Sequence, residues 1–135
     1  MINRRTFLAS SAAVAGAGIL GASAGKSLAA DPIKLGSILD TSGAFDAYGK
    51  PMDMALRLAV DEINAAGGLL GRQVEIVAYD TQSDMALYTQ YGQQLARVDK
   101  VDVVHGGILS ASREAIRQTL RKSGVPYFYN VLYEG

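Results

Sequence analysis

The 135-residue chain contains no cysteine. It therefore holds no disulfide, no thiolate metal site and no thioether lipid anchor. An excess of basic charge is also missing. Thirteen Lys and Arg balance thirteen Asp and Glu over the whole chain, and from Ala30 onward ten basic residues face thirteen acidic ones, a net of −3. That balance gives no broad electrostatic footprint for nucleic acid or for an anionic membrane surface. No Gly-x-x-x-x-Gly-Lys-Ser/Thr run occurs, and no Gly-x-Gly-x-x-Gly opens a helix after a strand, so nucleotide binding has no support. His105 is the single histidine. Without a nucleophile and an orienting partner at known spacing it makes no triad, and a lone His ending a strand reads as a satisfied structural residue.

A strongly apolar run of the ~20 residues that span a bilayer is absent as well. The uncharged stretch from Phe7 to Gly25 is dominated by Ala, Gly and Ser, and it follows Arg4 and Arg5 in Asn-Arg-Arg-Thr-Phe-Leu-Ala-Ser. Ser27 and Ala29 then occupy the minus-three and minus-one places of a cleavage site between Ala29 and Ala30, with cleavage after Ala30 as the alternative. In that order these features read as a twin-arginine export signal over residues 1–29. An exported protein with no Cys to carry a lipid would diffuse away from a cell with one membrane. The expected compartment is the periplasm.

From Ala30 the pattern alternates. Ile33 to Leu39 is a short apolar run suited to a strand buried on both faces, followed by a Ser, Thr and Gly-rich loop from Asp40 to Gly49. A helix is expected from Pro51 to Ala66, with Met52, Leu56, Ala59 and Ile63 on its core face, Pro51 in its first turn and Gly67-Gly68 as its stop. Gln73 to Tyr79 is a second strand and Met85 to Val98 a second helix with Tyr88, Tyr91, Leu95 and Val98 on one face. Val101 to His105, Ser112 to Lys122 and Val125 to Tyr129 continue as strand, helix and strand. This alternation predicts an α/β fold, a doubly wound parallel sheet with helices on both faces. Ligands of such sheets collect at the carboxyl ends of the strands, here the loops Asp40 to Gly49, Asp80 to Asp84, Gly106 to Ala111 and Asn130 to Gly135. The last of these loops ends the sequence, so residues 30–135 read as an incomplete domain.

Three segments carry a family resemblance: Ile33-Lys-Leu-Gly-Ser-Ile-Leu-Asp-Thr-Ser-Gly43, Ala59-Val-Asp-Glu-Ile-Asn-Ala-Ala-Gly-Gly-Leu-Leu-Gly-Arg72 and Tyr79-Asp-Thr-Gln-Ser-Asp84. In this order and spacing the chain resembles the solute-binding proteins of branched-chain-amino-acid type. The resemblance implies a two-lobed type I periplasmic binding fold, of which residues 30–135 form part of the first lobe, serving an ABC permease and ATPase in the inner membrane. Tyr127-Phe-Tyr-Asn-Val-Leu-Tyr-Glu-Gly135 is similar to the urea and short-chain-amide branch. That branch often has proline where this chain has Asn130, and an aromatic in the loop that here reads Gly107-Ile-Leu-Ser110.

The candidate ligand residues follow from the loops. Ser110, Ala111 and Ser112 precede or open a helix, where hydroxyls and free N–H groups grip a carbonyl or carboxylate oxygen; capping by Ser110 or Ser112 is the alternative. The family position favours Ser110. Tyr129 and Tyr133 offer flat apolar walls with a hydroxyl each, against an alternative of simple packing, and Glu134 accepts N–H groups from an amide-like solute. Ser42 and Tyr48 lie in the first loop, as lid or plain surface. Asp80 and Asp84 are too few oxygens for calcium and read as turn and cap residues. Arg113, Arg117 and Arg121 form a basic helical stripe, read as a solvated face or, alternatively, a permease contact. No cofactor is implied and no nucleophile–base pair supports an enzyme. The expected role is solute binding for import, with a periplasmic ligand sensor of the same fold as the alternative.

Overall fold

β1 (Ile33–Leu39) runs parallel to β2 (Val74–Asp80) on one side and to β3 (Val103–Gly106) on the other in the computed structural model, which describes residues 31–132. The register places Ile33 beside Val74 and Leu39 beside Asp80 in one direction, and Leu35 beside Val103 and Ile38 beside Gly106 in the other. β4 (Tyr127–Phe128) extends the sheet beyond β3, giving the order β2-β1-β3-β4. Parallel neighbours need crossover connections, and these are α1 (Asp46–Ala65), α2 (Met85–Gln94) and α3 (Ser110–Ser123). The chain moves outward from β1 to β2, then crosses back over β1 to β3. Right-handed crossovers therefore put α1 on one face and α2 with α3 on the other. The expected doubly wound parallel sheet is observed.

Alternation along β1 divides its side chains between the two faces. Ile38 joins Tyr88, Leu95, Val101, Val104, Ile116 and Leu120 in the buried cluster under α2 and α3. Gly36 points the same way, and a Cβ there would lie 2.9 Å from a Leu95 methyl and 3.1 Å from a Val104 methyl. Its lack of a side chain lets Leu95 seat fully against the strand, a burial worth about 2 kcal/mol.

α2 does not end as its periodicity predicts. It continues as a π-helical turn, Leu95–Asp99, closed by Lys100 in the left-handed region at φ 53°. The wider turn breaks the 3.6-residue repeat. Tyr88 and Leu95 are buried as expected, whereas Val98 is rotated outward and is 64% exposed.

α1 also departs from expectation, beginning at Asp46 and carrying Pro51 in its second turn. The proline forfeits one bond, to the Ala47 carbonyl, close to the helix start. The core face is Gly49, Met52, Leu56, Val60 and Ile63, with Ala59 exposed. Ion pairs Lys50–Asp46 and Arg57–Asp53 occupy the outer surface. At the far end the Asn64 amide exchanges two bonds with the Val74 backbone, 2.9 and 2.7 Å, which ties the helix to the start of β2. Strand β3 starts two residues later than predicted, α3 starts two residues earlier, and β4 is shorter. No helix among the described residues is long and apolar enough to cross a membrane.

Gly49 marks the closest approach of α1 to β1. A Cβ there would lie 1.9 Å from the Asp40 carbonyl oxygen, backbone that no rotamer change can move. Gly49→Ala is expected to push α1 off the strand end and cost about 2–3 kcal/mol. Urea unfolding of the variant beside the parent protein measures this, and equal midpoints would refute the packing.

Candidate functional site

The carboxyl end of β1 delivers a carboxylate into the interior. Asp40 is fully buried, as are Thr81 and Tyr88. Its Oδ1 accepts the Ser83 N–H at 2.9 Å and the Thr81 hydroxyl, and its Oδ2 accepts the Tyr88 hydroxyl at 2.6 Å. Burial, reinforced by this bond to Asp40, pushes the Tyr88 phenol well above its ordinary range, so it remains a donor.

One residue group farther out, Asp80 at the end of β2 reaches back to the loop after β1. It accepts the N–H groups of Thr41 at 3.0 Å and Ser42 at 3.1 Å, the Ser42 hydroxyl at 2.6 Å and its own loop's Gln82 N–H at 3.0 Å. Burial raises its affinity for protons, but the Ser42 hydroxyl and the three N–H groups outweigh burial and hold the carboxyl below its usual value. Ser83 completes the clamp by accepting the Phe45 N–H at 3.0 Å. The two loops thus brace each other. Asp84 caps α2 through the Ala86 N–H at 2.7 Å, the turn-and-cap role expected of this segment.

The strand order reverses between β1 and β3, and the backbones close there on two glycines. The Gly107 N–H donates to the Ile38 carbonyl at 2.8 Å, and a Cβ on Gly106 would lie 2.0 Å from that same oxygen. Both glycines have φ in the left-handed half, 139° and 80°. The chain then turns into α3 through Ser112, whose buried hydroxyl accepts the Ile108 and Leu109 N–H groups and donates to the Leu109 carbonyl at 2.7 Å. From β4 the Tyr127 hydroxyl donates to the Gly106 carbonyl, and just after it the Tyr129 hydroxyl donates to the Ile108 carbonyl, each at 2.9 Å. Burial drives the Tyr127 phenol pKa upward as well.

These contacts sort the residues singled out from sequence. Ser110 and Ala111 form the first helical positions of α3, with Ala111 exposed. Ser112 is turned inward and its hydroxyl is spent on the turn. The Tyr129 hydroxyl is engaged with the same loop, leaving the edge of its ring. Ser42 lies exposed at the same edge of the sheet, bonded to Asp80, and Tyr48 stands in the first turn of α1, 64% exposed. Tyr133 and Glu134 lie outside the described residues, as does the segment 1–29 expected to be an export signal. Arg113 and Arg117 both pair with Glu114, so the basic stripe is partly neutralised along its own helix.

Sequence reasoning missed Asp40, Thr81, Tyr88 and Tyr127 as site-building residues. The available signal was an Asp directly after an apolar strand, in a position that the sheet must bury. His105 also differs from expectation: its buried Nδ1 has no hydrogen-bond partner among the described residues. The ring borders a hollow of about 420 Å³ with Met52, Leu56 and Asn130 under α1. A hollow of about 750 Å³ lies elsewhere, between α3 and the open edge of β4. It is a groove beside the free edge of β4, lined by Arg117, Leu120, Val125 and Phe128 among others.

A family model described as periplasmic binding protein matches residues 32–135. The chain belongs to the periplasmic binding protein family. Leu/Ile/Val-binding protein homolog 7 of Brucella abortus strain 2308 is 32% identical over 105 residues, covering 78% of this chain and 26% of the relative. Leu/Ile/Val-binding protein homolog 8 of Brucella suis biovar 1 is 34% identical over 96 residues, 71% and 24% respectively. Among solved structures, the branched-chain amino acid transporter substrate-binding protein LivJ of Streptococcus pneumoniae, in complex with isoleucine, is similar with a TM-score of 0.74 and 36% identity, over 77% of this chain and 30% of that one. A leucine-binding protein, LivK, of Thermotoga maritima gives 0.66 and 25%, over 72% and 27%. The chain spans about a quarter of the length of the curated relatives it matches. Within this periplasmic binding protein unit, the braced loops and the start of α3 share the strand-end edge where α/β sheets take ligands.

His105 gives this region a pH dependence. Desolvation lowers its pKa from 6.5, so the unfolded chain binds the proton first as the pH falls. Stability from the neutral ring is full above pH 6.5 and declines between that value and the lowered one. Thermal midpoints taken from pH 8 to pH 5 are expected to fall through this window, and less steeply in His105→Gln. Identical slopes in both proteins would refute the assignment.

Proposed function

We propose that the protein is the solute-binding component of an ABC importer and that its solute carries a carbonyl or carboxylate oxygen, received at the first turn of α3. The single observation that carries this reading is the placement of Ser110 and Ala111, at a helix start on the strand-end edge beside the switch between β1 and β3. Family membership implies a periplasmic location, and residues 1–29 are read as the twin-arginine signal that delivers the chain there. The resemblance to two-lobed binders adds hinge closure around the solute, with the closed form read by a permease and its ATPase. Relatives named as transporter binding proteins support import over sensing.

The solute class is read from two directions. Tyr129, Asn130, Val131 and Leu132, with Tyr133 and Glu134 beyond them, support urea or a short-chain amide, since Glu134 would accept N–H groups while the helix start donates to the carbonyl. The isoleucine held by the pneumococcal relative supports an amino-acid-like solute instead. Both classes present the same oxygen to α3.

Calorimetric titration of the full exported protein with two panels, urea with acetamide and the branched-chain amino acids, separates them. A response to one panel names the class; a response to neither contradicts the reading. Ser110→Ala is expected to weaken the bound solute by about 3- to 10-fold, the worth of one hydrogen bond. Ser110→Pro removes the N–H as well and suits the extended Leu109 before it, so a larger loss with the helix retained is expected.

A further inference from the structure

We propose that Tyr127 is a positioning residue for solute binding: its hydroxyl fixes the peptide between Gly106 and Gly107 that leads into the first turn of α3, without touching the solute. The inference rests on the functional reading above. That peptide is gripped at both ends. Its carbonyl oxygen, on Gly106, accepts the Tyr127 hydroxyl at 2.9 Å, and its N–H, on Gly107, donates to the Ile38 carbonyl at 2.8 Å. Gly106 and Gly107 both have positive φ, 139° and 80°, in the half of backbone space that glycine enters freely. A peptide between two glycines has no Cβ to restrict its plane, so the two hydrogen bonds set it.

Regular sheet pairing stops short of this loop. β3 and β4 are in register only at Val104 with Tyr127 and at His105 with Phe128. Past that point the tyrosine hydroxyls of β4 and the residue after it reach across to the loop. The Tyr127 hydroxyl lies close over Gly107, where a Cβ would come within 2.8 Å of it and 3.3 Å of the Ser112 hydroxyl. The peptide between Ile108 and Leu109 repeats the arrangement. Its carbonyl accepts the Tyr129 hydroxyl at 2.9 Å, and its N–H donates to the Ser112 hydroxyl at 3.1 Å. Ser110 follows directly, so these two peptide planes set the direction in which the chain enters α3. The Tyr127 ring packs against the buried cluster under α2 and α3. Phenylalanine would serve that packing equally well, and only the hydroxyl reaches the loop. With its proton donated to Gly106 and its ring against the core, Tyr127 acts on the solute through the loop alone.

Tyr127→Phe keeps the ring and deletes the bond to Gly106. The full protein and this variant are titrated calorimetrically, well below their thermal midpoints, with whichever of urea, acetamide, leucine, isoleucine or valine the parent binds. The expected result is a Kd weaker by about 3- to 10-fold, together with faster amide hydrogen exchange at Gly107 and Ile108 and unchanged exchange along β2. The loss caused by Ser110→Ala is expected to shrink in the Tyr127→Phe background, because both changes act through one turn. If the first variant fails to fold, Tyr129→Phe, which deletes the bond to the Ile108 carbonyl and keeps its ring, is titrated in the same way with a similar loss expected. An unchanged Kd with only the melting temperature lowered, or a Ser110→Ala loss equal in both backgrounds, would overturn the proposal and leave the hydroxyl a fold contact. A parent protein that binds no solute would instead overturn the functional reading, and the positioning role with it.

Discussion

The pairing of β1 on both sides is the constraint from which the rest of the structure follows. A strand flanked by two parallel partners cannot be reached by hairpins, so each neighbour must return through a crossover helix. Because the first crossover goes to β2 and the second comes back to β3, the order reverses beside β1. The reversal leaves the loops after β1 and β3 diverging to opposite faces, and a crevice opens between them. Gly106 and Gly107 allow the two strand ends to approach closely enough for the Ile38 carbonyl to receive the Gly107 N–H.

Polar groups at that rim are arranged in two layers. The inner layer is Asp40 with its buried donors; the outer is Asp80 with backbone N–H groups that are partly exposed. Each carboxylate bonds across to another loop. The loops that in most proteins are the most variable parts of the backbone are here joined at their bases. Preorganised loops lose less entropy when a ligand binds between them.

Much of the fold is legible in the sequence. Ile33 to Leu39 reads as a buried strand; its bounds are met residue for residue, with burial from Gly36 to Leu39. The Gly67-Gly68 stop is also observed, with N–H bonds from these glycines back to Asn64 and Ile63. The misreadings have local causes. Pro51 suggests a helix start because proline favours the first turn, yet the helix begins five residues earlier, where Asp46 and Lys50 supply an ion pair in place of apolar periodicity. A 3.6-residue count puts Val98 on the core face, and the π-helical turn invalidates that count. The strand-end location of Ser42, Ser110 and Ala111 could be foreseen from the alternation of elements. Asp40 could not be assigned its role, since its partners Thr81, Ser83 and Tyr88 are 41 to 48 residues away and meet it only after the sheet forms.

The central claim is that solute is received at the strand-end crevice, against the first turn of α3. Amide chemical-shift mapping of the full protein during titration with its solute tests this most directly. The account predicts the largest shifts at Ile108 to Ser112 and in the Thr41 to Gly43 loop. Shifts concentrated instead at the opposite edge of the sheet, at Ile33, Val74 and Asp102, or along the α3–β4 groove around Val125 and Phe128, would contradict it.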